Sequence, residues 1–123
     1  MTIRELYDTI GGNYDQALRV MKSDRLIDKY VRKLETSRVG ETLAEAGETM
    51  DGVKLFESAH AMKGVCANLG LDALARAADE ITEEFRPGNA RKLSDEDVKA
   101  KLAAIEALYR ATAEGIRQYE AQA

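Results

Sequence analysis

The sequence predicts an all-α chain, an up-and-down four-helix bundle with additional N-terminal helices. Three observations carry this. Helix caps and stops recur from one end to the other, and no alternating run of apolar and polar residues lasts long enough to make a strand. Toward the C-terminus, Val98, Leu102, Ile105, Tyr109, Thr112, Ile116 and Tyr119 hold a seven-residue apolar repeat.

The elements follow in order. Thr2-x-x-Glu5 is a capping box, Ile3, Leu6, Tyr7 and Ile10 share one face behind it, and Gly11-Gly12 stops the helix. Asn13-x-x-Gln16 caps a second helix bearing Tyr14, Ala17, Leu18 and Met21. Ser23 or Asp24 caps a third, with Ile27, Tyr30, Val31 and Leu34 as its stripe. A turn near Glu35 to Arg38 leads to a segment carrying Val39, Leu43, Ala46 and Met50. Asp51-Gly52 restarts the chain into a helix from Val53 to Leu69, which Gly70 terminates. A helix from Leu71 to Phe85 places Leu74, Ala78, Ile81 and Phe85 on one side and ends before Pro87-Gly88, because proline disfavours helical backbone in its predecessor. The last helix starts at Ser94, whose cap partner is Asp97. Short connections between long amphipathic helices favour antiparallel neighbours. The four main helices run from Val39 onward, with the N-terminal ones packed against an end or side. With no repeat, linker or low-complexity tract, residues 1–123 read as a single domain.

Composition narrows the function. The chain has 123 residues, 22 acidic against 18 basic, for a net charge of −4. Non-specific binding of nucleic acid needs a surplus of Lys and Arg to displace counterions, and that surplus is missing. No apolar run approaches the ~18 residues of a membrane span, and the N-terminus has no basic-then-apolar export signal. One cysteine, Cys66, excludes an internal disulfide and suits the reducing cytoplasm. One histidine and one cysteine make a poor zinc ligand set, so no metal site is expected.

The chemistry centres on that histidine. On a helical wheel advancing about 100° per residue, Leu55, Ser58, Met62, Val65, Cys66 and Leu69 all lie within about 60° of the direction opposite His60. That side is apolar and faces the core, so His60 points to solvent. Lys63 and Gly64, three and four residues on, flank the imidazole. Ala67 lies a further turn along, with Val53 and Phe56 on the preceding turns. Gly64 inside a helix costs about 1 kcal/mol against alanine, yet it lowers the surface beside His60 and admits another molecule's backbone or phosphate. Val53, Phe56 and Ala67 add a small apolar rim that reads as a docking surface, unless Phe56 packs instead under the N-terminal helices. Imidazole is largely uncharged near neutral pH, and its free nitrogen can attack an activated phosphoryl group. The product, a phosphoramidate, is reactive enough to pass the group onward. Lys63 would meet the added negative charge, an exposed pairing worth about 0.2–1 kcal/mol. Cys66 reads as a buried filler, Asn68 as a helix-end cap or a partner contact, and Asp79-Glu80 with Glu83-Glu84 as a solvated face.

The run His60-Ala61-Met62-Lys63-Gly64, continuing Val65-Cys66-Ala67-Asn68-Leu69-Gly70, resembles the signature of histidine-containing phosphotransfer (HPt) domains. The resemblance is specific over Leu55 to Phe85 and agrees in helix order from Asp24 to the C-terminus. It departs at Val65-Cys66, where many members carry small hydroxyl residues; both lie on or near the core face, so repacking is expected. The resemblance implies a phosphoryl carrier in a multistep two-component phosphorelay, taking the group on His60 from one receiver aspartate and giving it to another. It implies no ATP site and no cofactor of its own, the receiver supplying an acidic pocket and Mg²⁺. The expected partners are response-regulator receiver domains, with a hybrid histidine kinase as a further candidate, and the carrier is expected to be monomeric. Met1 and the lack of a linker suggest a free-standing protein; a piece of a larger hybrid kinase is the alternative. An autophosphorylating kinase is disfavoured, because Ala61 stands where an acidic residue usually follows the histidine and no nucleotide domain fits in the chain. The remaining alternative is a helical adaptor that binds receivers without transfer, which would tolerate His60→Gln in every binding assay.

Overall fold

Polar caps and apolar stripes together produce seven helices among residues 1–122, the residues described by a computed structural model. They are α1 (Ile3–Ile10), α2 (Tyr14–Met21), α3 (Asp24–Thr36), α4 (Val39–Thr49), α5 (Gly52–Asn68), α6 (Asp72–Phe85) and α7 (Asp95–Ala121); no strand occurs among the described residues. The capping box closes α1, with Thr2 accepting from the Glu5 N–H and Glu5 accepting from the Thr2 N–H. Asn13, Ser23, Asp51 and Ser94 cap α2, α3, α5 and α7 through their side-chain oxygens, each satisfying an N–H that the first helical turn leaves unpaired. Ser23, not Asp24, is the cap of α3.

α4, α5, α6 and α7 form the four-helix bundle, each packing on the next and α4 closing the ring against α7. The 27 residues of α7 span about 40 Å, against about 25 Å for the 17 of α5. The seven-residue repeat therefore runs beyond the region where α6 covers it, and the N-terminal helices take over. Lys101 pairs with Glu80 of α6 at 2.6 Å near the start of α7. Near its end, Tyr119 donates to Asp28 of α3 at 2.5 Å, Arg117 reaches Glu35, and Tyr109 donates to the Leu34 carbonyl. α1 packs beside α3 on the same stretch.

The N-terminal helices also anchor the end of α5. The Tyr7 hydroxyl is buried and donates to the Leu69 carbonyl at 2.7 Å, and this burial pushes its pKa up. The Asn13 N–H donates to the Gly70 carbonyl at 2.8 Å. Gly70 has φ +67°, and a Cβ there would lie 2.2 Å from the Asn13 carbonyl oxygen, so both conformation and contact require glycine. One continuous core results, with Leu6, Tyr7, Ile27, Leu55, Met62, Ile81, Ile105 and Ile116 at its centre.

Two expectations change. Val65 does not face the core: it is 41% exposed, whereas Ala59 is fully buried. α6 packs closely along the flank of α5 that carries Ala59, Lys63 and Cys66, which rotates the buried sector away from Val65. The acidic run of α6 is a solvated face only in part, with Glu80 and Glu83 exposed and Glu84 turned inward. Asp79, Glu80 and Glu83 contact Lys63, Lys101 and Arg86 respectively. Glu84 is buried and accepts from the backbone N–H groups of Lys92 and Leu93 and from Arg91, clamping the loop that leads into α7.

Candidate functional site

The chain turns into α5 through Met50 in the left-handed region (φ 52°), and Asp51 accepts from the Val53 and Lys54 N–H groups. Two turns later His60 is exposed, while Leu55, Ala59, Met62 and Cys66 behind it are buried. Burial pushes the Cys66 thiol up to about 12, leaving it a filler without reactive thiolate. The Asn68 side chain is exposed, and the cap position falls on Leu69.

The surroundings of His60 are asymmetric. On the flank toward α6 stand Phe56 and Lys63. The Phe56 ring lies 5.5 Å from the imidazole, centroid to centroid, at an interplanar angle of 35°. Arg86, just beyond the end of α6, places its guanidinium carbon 5.3 Å from the centre of the Phe56 ring and pairs with Glu83 at 2.7 Å. Phe56 is half-buried in this stack at the end of α5 remote from Gly70, so it does not lie under the N-terminal helices. The Lys63 ammonium is 2.6 Å from Asp79 Oδ1 on α6, a charge contact alongside the imidazole.

The other flank is open. Gly64 is exposed, and a Cβ built on it would meet nothing within 4 Å. Val53 is 68% exposed, and Ala61, Val65 and Ala67 are exposed as well. The residues singled out in the sequence thus divide in two: Phe56 and Lys63 are engaged with α6, while Val53, Gly64 and Ala67 leave free surface beside the imidazole.

Asp79 and Arg86 also belong to these surroundings; in the sequence Asp79 reads only as part of a solvated acidic face, and Arg86 carries no sign of a role. Neither position carries a periodic signal. Asp79 follows the buried Ala78 within an acidic run, and Arg86 lies past the helix end. Only the packing of α6 against α5 brings them to His60.

A groove of about 590 Å³ runs between α4 and α7 over Met62, but His60 lines neither it nor the shallower concavity at the turn between α1 and α2. The exposed imidazole thus lies outside both concavities, the kind of surface in which small-molecule sites are found. Among the described residues, no three His, Cys, Asp or Glu side chains gather as a metal-binding group, and no helix is long and apolar enough to cross a membrane.

No curated protein and no solved structure matches the chain. The family model of the Hpt domain matches residues 26–115, from the first turn of α3 to the last third of α7. This stretch contains the whole four-helix ring up to Gly115 and the exposed histidine of α5. The chain therefore belongs to the Hpt domain family, whose members take part in histidine phosphotransfer in phosphorelays.

Proposed function

We propose that the chain is a phosphoryl carrier and that His60 holds the group between two receiver-domain aspartates. The unprotonated ring nitrogen attacks the phosphorus of the first receiver's acyl phosphate. A P–N bond forms, the P–O bond to the aspartate breaks, and the carboxylate leaves with the bonding electrons. Transfer to the second receiver reverses these events: its carboxylate attacks, the P–N bond breaks, and the electron pair returns to the imidazole. The reacting atoms must come within about 3–3.5 Å in line, which brings the receiver's backbone down against the surface of α5.

The observation that carries this reading is the empty space at Gly64, one turn from His60, on a helix with no internal need for glycine there. Val53 and Ala67 extend that open flank as an apolar contact strip, with Phe56 at its border. Lys63 supplies a cation within reach of the phosphoryl oxygens and tunes the adduct. On the α6 side the carboxylates of Asp79 and Glu83 already face Lys63 and Arg86, and on α5 the exposed Glu57 stands three residues before His60. In this reading the divalent cation that shields the transferring phosphoryl group comes with the receiver's own acidic pocket. The surroundings of His60 come from α5 and α6 of one chain, which fits a carrier that works as a monomer; its proposed place is the cytoplasm.

The test is incubation with a phosphorylated receiver domain and Mg²⁺, followed by mapping of the phosphate, with His60→Gln as the control. Acid-labile, base-stable phosphate on His60 that a fresh receiver removes is the expected result, with labelling abolished in the variant. Receiver binding without labelling of the wild type would identify a non-transferring adaptor instead.

A further inference from the structure

A phosphoryl group on His60 would give Lys63 a second anion beside Asp79, and its single positive charge would be divided between the two. Its ammonium stands 2.6 Å from Asp79 Oδ1, and each side chain is about two-fifths exposed. That carboxylate oxygen is itself buried from solvent and receives no well-aligned hydrogen bond, so the Lys63 ammonium is its compensating charge. A buried polar atom stripped of its partner is destabilising. The two helices holding these groups are closely packed along their length, so Asp79 cannot follow a moving ammonium, whereas the flexible lysine stem can swing. Three residues apart on one helix, His60 and Lys63 have Cβ atoms about 5–6 Å apart, close enough for the ammonium to reach a phosphoryl group on the ring.

We propose that Asp79 is a positioning residue that competes with the phosphoryl group for Lys63 and so raises the phosphoryl-transfer potential of His60. This rests on the assignment of His60 as the carrier residue. If Lys63 stays with Asp79, the new phosphoryl group gains little from the lysine. If Lys63 turns to the phosphoryl group, Asp79 Oδ1 loses its compensating charge. Either way Asp79 makes the phosphorylated state less favourable, and the group passes more readily to a receiver. A carrier must release as well as accept, and a lysine left free to clamp the adduct would hold the carrier in its loaded form.

The experiment measures how phosphoryl groups partition at equilibrium between the full chain and a receiver domain, for the wild type, Asp79→Asn, Asp79→Glu, Lys63→Met and the double variant Lys63→Met/Asp79→Asn. Exposed ion pairs set the scale, so Asp79→Asn should raise the phosphohistidine-to-phosphoaspartate ratio about two- to fivefold. Asp79→Glu should restore the wild-type ratio, and the double variant should match Lys63→Met alone. An unchanged or lowered ratio in Asp79→Asn overturns the proposal. So does an equal rise with and without Lys63, because Asp79 would then act on the phosphoryl group directly. Loading the wild type with phosphoramidate, a small-molecule donor, separates the two levels: no label on His60 from either donor sinks the carrier reading, whereas a labelled His60 with an unmoved ratio sinks only the role of Asp79.

Discussion

Gly64 of α5 and Gly115 of α7 both lie inside helices, and each forgoes about 1 kcal/mol relative to alanine. Their surroundings differ. A Cβ on Gly115 would come 2.4 Å from Cγ2 of Ile10, so glycine there lets α1 lie against α7. The helical glycines of α4 behave similarly, Gly40 against the Tyr109 ring at 2.5 Å and Gly47 against Leu102 at 2.7 Å. At Gly64 nothing lies within 4 Å. Glycine in α4 and α7 answers a packing need inside the molecule. No such need exists at Gly64, and the proposed function accounts for the glycine by a steric demand from outside, from the receiver that approaches His60.

The largest effect expected from this contrast is on transfer. Gly64→Leu should slow phosphoryl exchange with a receiver in both directions by about a hundredfold, the scale on which a misplacement near 1 Å affects a positioned reaction. Helical circular dichroism and Tm should be unchanged or slightly raised. Quench-flow kinetics with a pre-phosphorylated receiver would measure this, and an unaltered rate in a folded variant would break the comparison at its first step.

The next effect is on stability, where one substitution should give opposite signs at the two sites. Gly64→Ala gains helix propensity in open space and should stabilise the fold by up to about 1 kcal/mol. Gly115→Ala gains the same propensity but forces Ile10 aside, and overpacking costs about 1–3 kcal/mol, so a net loss is expected. Urea denaturation of both variants reads the two signs directly. The amount transferred per folded molecule should stay at the wild-type value in Gly115→Ala. Shifts in the same direction would mean that the two glycines do not differ in kind.

Local features of this molecule were legible in the sequence, and long-range ones were legible only in outline. Caps such as Thr2 with Glu5, Asn13 and Ser94 act over three residues, so they can be read one helix at a time. The exposure of His60 follows from the same short-range periodicity, because Leu55, Met62, Cys66 and Leu69 leave the ring only one direction. Val65 was misread because a wheel weights both edges of an apolar face equally, while the position of α6 decides which edge is covered. The partners of charges were out of reach for the same reason. Asp79 meets Lys63 across two helices and Glu84 folds back on the Lys92–Leu93 backbone, whereas in the sequence both are simply members of an acidic run. Besides covering α7, the first helix closes the end of the helix that carries His60 through the Tyr7 contact with Leu69, a role its own stripe does not disclose.

The division between inward and outward needs holds for charges as well, and it gives the smallest of the expected effects. Lys63 faces a site that changes charge during the proposed reaction, whereas Glu84 serves the fold alone. The Leu93 N–H, followed by the Lys92 N–H and the Arg91 guanidinium, outweighs partial burial and holds the Glu84 carboxyl below its ordinary value near 4.5. The sign follows from proton counting. Between the folded and unfolded pKa values the unfolded chain binds more protons at this position, so stability rises with pH there. The contribution of Glu84 is therefore fully present above about pH 4.5 and is lost as pH falls through the lower folded value. Both N–H groups meet the same carboxylate oxygen, Oε2, so Glu84→Gln keeps an acceptor for them but no charge. It should lower Tm slightly at neutral pH and converge on the wild type as the medium is acidified, with equilibrium transfer to a receiver unchanged. Thermal melts of the two proteins between about pH 3 and pH 7 would record the convergence. A constant offset across that range would show that Glu84 acts through shape rather than charge, and an altered transfer equilibrium would place the loop before α7 among the elements a receiver touches.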